Sequence, residues 1–187
     1  MKSILLALLC LLSTRAAEPI RVLVWDEQQP AQKQAYGEKF LGETIAEALT
    51  RRGLAVKTAN LDSPEQGLAP DALDQTDVLI WWGHVRNNDV TDAHAEEVVK
   101  RVLAGKLALI PLHSAHWSKP FVRLMQERAK ADALKQIPVA ERVFAKFQYE
   151  NEHPIGKPVK REAPLTPALE KLPNGSWKLT LPACVFP

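Results

Sequence analysis

The chain has 187 residues, 46% of them apolar and 25% charged, which suits one globular domain with a full core. Lys and Arg number 24 against 22 Asp and Glu, and removing Lys2 and Arg15 brings the two signs level. No basic stripe remains, which argues against nucleic acid or an anionic membrane as partner, and the two cysteines, Cys10 and Cys184, are too few for a Cys-rich zinc site.

Lys2, the apolar run Ile4–Leu12 and the small residues at Ala16 and Ala17 read as a secretory signal peptide over residues 1–17. The alternative is a retained N-terminal helix. Cleavage predicts a periplasmic or secreted product, residues 18–187. Its one cysteine, Cys184, can form no disulfide within the chain. Nothing after residue 17 is apolar for long enough to span a bilayer.

Ile20–Trp25 is an apolar run broken only by Arg21, as expected of a strand buried on both faces. Apolar residues from Ala35 to Arg52 recur at helical spacing, and Gly53 stops them. Leu54–Ala59 predicts a second strand, residues 60–75 a loop, and Val78–Trp82 a third strand. Ala95, Val98, Val99, Val102 and Leu103 mark one face of a helix that Asp89 or Thr91 can cap. Leu107–Leu112 predicts a fourth strand, tolerant of Pro111 only near its end or at an unpaired position. Ser118-Lys119-Pro120 then starts a helix running to about Leu134.

Strands alternating with helices make a parallel α/β sheet, and right-handed crossovers predict the doubly wound, flavodoxin-like order 2-1-3-4. This core covers residues 20–134. Residues 135–187 are irregular and hold eight of the fourteen prolines. There, Phe144–Tyr149 and Trp177–Val185 are candidate strands and Pro167–Leu172 a short helix.

Three strands end in chemistry: Trp25-Asp26-Glu27, Trp81-Trp82-Gly83-His84, and His113-Ser114-Ala115-His116-Trp117. Ligands of open α/β sheets bind outside the carboxyl ends of strands, so these residues predict one shared site. His113 and His116, with Asp26 or Glu27, are the candidate proton-transfer groups. Trp82, His84, Ser114 and Trp117 are candidate substrate contacts. His84, His113 and His116 also form a candidate ligand set for a divalent metal such as zinc. Alternative roles are hydrogen-bonded loop histidines, helix-capping carboxylates and tryptophans that fill core. Asp89 is best read as a helix cap, and His94 and His153 as surface residues. Ser114 lacks the flanking glycines of a nucleophile elbow. No glycine-rich phosphate loop follows the first strand, so no nucleotide cofactor is expected.

The blocks Val22–Glu27, Asp77–His84 and Leu112–Lys119, with Phe121–Met125 continuing the last, resemble the trehalose-utilisation (ThuA-like) family over roughly Arg21 to Met125. The resemblance implies a fold like the class I glutamine amidotransferases and a role in using disaccharides or 3-keto sugars. It brings no settled reaction; with the signal-peptide reading and the candidate histidines, the expectation is an exported sugar hydrolase, lyase or isomerase, with a small carbohydrate as partner and a homo-oligomer as one possibility. Glutamine hydrolysis is not expected, because His113-Ser114 stands where those enzymes carry a cysteine. Family members usually continue past the equivalent of Phe186-Pro187 with a Pro-Gly-His-Glu-type motif, so the chain is expected to be a fragment. The rival readings are a non-catalytic sugar-binding or regulatory module and an inactive remnant.

Overall fold

A computed structural model describes residues 18–147 and 168–180. The signal-peptide reading therefore lies outside the described residues, as do His153 and Cys184. Four parallel strands form the sheet: β1 (Arg21–Asp26), β2 (Ala55–Asn60), β3 (Val78–Trp82) and β4 (Ala108–Pro111). Their order is β2-β1-β3-β4, the order expected from right-handed crossovers. The architecture is α/β and flavodoxin-like. Among the described residues β4 is an edge strand, which accommodates Pro111, and the next residue, Leu112, donates its N–H to Trp81 O at 2.8 Å.

Among the described residues, five helices accompany the sheet: α1 (Gln32–Ala35), α2 (Leu41–Thr50), α3 (Pro70–Asp74), α4 (Asp92–Leu103) and α5 (Lys119–Gln136). The periodic stretch 35–52 thus begins its main helix later than expected. Gly37 and Glu38 both take positive φ and break the run. The loop expected over 60–75 carries a 3-10 turn (Pro64–Gly67) and α3. Thr91, not Asp89, caps α4, its hydroxyl accepting from His94 N–H at 3.3 Å. Asp89 instead pairs with Arg86 at 2.9 Å.

Side-chain alternation splits the sheet residues between its faces. Leu23, Trp25, Leu79 and Trp81 enter the main core with Leu61, Leu68, Leu73, Val90, Val98 and Leu107. Trp25 and Trp81 are opposite one another in register and stack with ring centroids 4.1 Å apart. Both are fully buried. These two tryptophans are core residues, and Trp25 Nε1 is satisfied by Gln66 O at 2.8 Å.

Among the described residues after 135, the expected strand does begin at Trp177 and runs to Thr180, where the described residues end, while the other expected elements differ. Val139–Phe144 is a 3-10 turn, so Phe144 ends a turn and does not open a strand. Ala168–Lys171 is strand β5, not a helix, and pairs antiparallel with β6 (Trp177–Thr180). Pro173-Asn174-Gly175, with Gly175 at φ 80°, closes a hairpin instead.

Candidate functional site

The register aligns the strand ends. Asp26 lies opposite Trp82, and Trp81 opposite Pro111. One and two steps further, Glu27, Gly83 and His113 leave the sheet at one level. With strands about 4.8 Å apart, Glu27 and His113 start about 10 Å from each other. The strand ends that carry the predicted residues therefore lie along one edge of the sheet, with Trp25 and Trp81 turned into the core.

At that rim the two acids and the histidines differ sharply in setting. Asp26 is 2% exposed. Its Oδ2 accepts Gly42 N–H at 2.6 Å and its Oδ1 accepts Gln28 N–H at 2.7 Å. Helix α2 has Phe40 at its N-cap, which offers no acceptor, so Asp26 supplies from β1 the oxygen that a cap side chain would supply. A Cβ at Gly42 would meet Asp26 Cβ at 2.7 Å, so only glycine lets the helix approach this closely. Burial pushes the Asp26 carboxyl above its ordinary value. The two N–H donors oppose the shift, and the Glu27 and Glu43 charges add to it.

Glu27 is 1% exposed. Its Oε1 accepts Val85 N–H at 2.8 Å and the Gln29 amide, and its Oε2 accepts Arg86 N–H at 3.1 Å. The carboxylate thereby ties the end of β1 to the turn after β3. Gly83 makes room for it: a Cβ there would lie 3.2 Å from Glu27 Oε2 and 2.7 Å from Asn87 Oδ1.

The imidazoles and the outer tryptophan meet solvent. His84 and His113 are exposed, His116 is half-buried, and Trp117 is 52% exposed. Trp82 is half-buried, opposite in face to Trp81. Ser114 is buried beneath the 3-10 turn His113–Trp117. His116 Nδ1 lies 3.0 Å from His113 O. A carbonyl only accepts, so Nδ1 carries the proton and Nε2 is the basic nitrogen of the neutral ring.

His113 opens that turn with φ at 42°. A side chain in the left-handed region costs about 1–2 kcal/mol, and such strain concentrates at functional sites. Gln28, just after β1, has φ at 58°. Positive-φ residues thus follow β1 and β4, and Glu65 and Gln66 do so after β2.

Among the described residues, no three His, Cys, Asp or Glu side chains are grouped so as to hold a metal ion. His84, His113 and His116 share the rim without forming such a cluster in this arrangement.

Sequence reasoning missed the segment that straps this rim to α4. Glu65 and Gln66 adopt positive φ with Gly67. Gln66 accepts from Thr91 N–H at 2.9 Å and donates to Asp89 O at 2.8 Å. His94, expected on a solvated face, is only 15% exposed and lies between Gln66 Oε1 (3.0 Å) and Glu65 Oε2 (3.1 Å). Gly67 was the one local signal, since a Cβ there would meet Ala59 Cβ at 2.4 Å.

A family model for trehalose utilisation (ThuA) matches residues 21–179. The chain belongs to that family. The match takes in all four sheet strands, the rim and nearly all of the hairpin, well beyond the stretch ending at Met125 that carries the resemblance in sequence. No curated protein matches the chain. The family points to a function related to trehalose utilisation. Among its described residues, no helix is long and apolar enough to cross a membrane.

Proposed function

We propose that this trehalose-utilisation protein processes a disaccharide or 3-keto sugar at the carboxyl rim of its sheet, with His113 moving the proton. The observation that carries this reading is His113 itself, an exposed imidazole kept at φ 42° on the elbow between β4 and α5. Strain of this kind is retained where geometry serves a task. Beside the carbonyl of a 3-keto sugar, a C–H is acidic enough for an imidazole base to remove its proton. The resulting enolate re-protonates to an isomer or expels the neighbouring glycosidic oxygen. His116 Nε2 is the candidate acid for that leaving oxygen once the ring is doubly protonated.

Asp26 and Glu27 act in this proposal as positioning residues, since each carboxylate oxygen already accepts an N–H. Trp82 packs on the reacting ring, Trp117 stands at its outer edge and His84 completes the contacts, whereas Ser114 is buried and is not among them. Residues 1–17 support export to the periplasm or beyond.

His113→Ala should abolish turnover of a 3-keto-disaccharide while the unfolding transition stays cooperative. Undiminished turnover removes the mechanism. A second reading, a sugar-binding module without catalysis, is favoured by the engagement of both carboxylates in backbone hydrogen bonds. Saturable binding with no product after long incubation would select it.

A further inference from the structure

A groove of about 560 Å³ runs between the N-terminal halves of α4 and α5 and ends at Trp117. We propose that this groove receives the second, non-reacting pyranose ring of the disaccharide. The inference rests on the saccharide reading above and adds where the substrate lies.

Three features support it. The volume is that of a small-molecule site. Trp117 stands 52% exposed at the mouth, and an exposed indole offers a flat apolar face to the C–H side of a sugar ring. The walls are charged yet balanced: Lys119 pairs with Asp92 at 2.8 Å, and Arg123 with Glu96 at 2.8 Å. Two cations against two carboxylates leave no net field to attract a phosphate or an acidic peptide. They do leave closely spaced donors and acceptors, which suit a neutral ligand carrying adjacent hydroxyls. Ala95 contributes a buried apolar floor.

The groove also adjoins the turn that carries the histidines. Trp117 closes the 3-10 turn that His113 opens, and its ring lies 5.0 Å from that of His116. A ligand spanning both would place one ring before the histidines and the other between the helices. Binding energy from that remote ring would be available to the chemical step.

The test is trehalose binding to the full chain, read by calorimetry and by the indole N–H resonance of Trp117, assigned from its loss in W117F. Trehalose should bind saturably and shift that resonance. Trp117→Ala should weaken binding about tenfold, from lost apolar contact. Glu96→Gln and Arg123→Ala should each weaken it about fivefold, from lost hydrogen bonds. If trehalose binds but Glu96→Gln and Arg123→Ala bind it unchanged, the groove is not the subsite, whatever Trp117→Ala does, and the saccharide reading survives. If the native chain binds no trehalose and turns over no 3-keto-disaccharide, the saccharide reading fails and the subsite fails with it.

Discussion

His113 should be a position where glycine stabilises relative to alanine. At φ 42° its Cβ crowds the backbone, at a cost of about 1–2 kcal/mol. The side chain is exposed, so trimming it to Ala loses little packing and keeps the strain. Glycine removes the Cβ but raises the entropy of the unfolded chain, which costs about 0.4–1 kcal/mol. The balance leaves His113→Gly more stable than His113→Ala by about 0.5–1 kcal/mol. Urea unfolding measures this directly, provided both variants show the same m-value. Both variants lose the imidazole, so both should lose turnover. A gain in stability alongside a loss of activity marks a residue kept for function. If the glycine variant is instead about 1 kcal/mol weaker than the alanine variant, as at an ordinary position, the elbow is unstrained and the reasoning fails.

Two further predictions concern the supports of the rim. Gly83→Ala drives a Cβ to 2.7 Å from buried Asn87 Oδ1 and 3.2 Å from Glu27 Oε2, so it should destabilise by about 1–3 kcal/mol in thermal or urea unfolding. An unchanged midpoint would show that the turn after β3 is looser than these contacts imply. Asp26→Asn replaces an acceptor oxygen by an amide facing a backbone N–H, which should cost about 1–3 kcal/mol. Its deficit should also depend on pH. Burial raises the folded-state Asp26 pKa above the ordinary 3.8. The folded chain therefore binds the proton more tightly than the unfolded chain. Wild-type stability loses this contribution as pH rises from 3.8 through the folded value, and the Asn variant has no such loss. The gap between the two proteins should narrow across that window. A gap that widens would reverse the sign of the Asp26 shift.

The sheet was legible from residues alone because its signals are local. Ile20–Trp25 and Val78–Trp82 are runs too apolar for an exposed strand, and the helical spacing through Val98, Val99 and Val102 defines α4. Alternation separates Trp81 from Trp82, and the structure buries the first and half-exposes the second. The hairpin Ala168–Thr180 was not legible as such. Its four-residue strands are too short for periodicity to distinguish from a helical turn, and Gly175 reads only as a turn residue.

The primary structure by itself determined which strands pair and that Glu27, Gly83 and His113 emerge together, because parallel crossovers and register follow from element order and length. Only the tertiary structure decided what each polar group does there. Asp26 finds its second donor sixteen residues away at Gly42, and Glu27 finds its two backbone donors at Val85 and Arg86. A hydrogen bond depends on which remote backbone N–H arrives within 3 Å, and no local pattern of side chains carries that information.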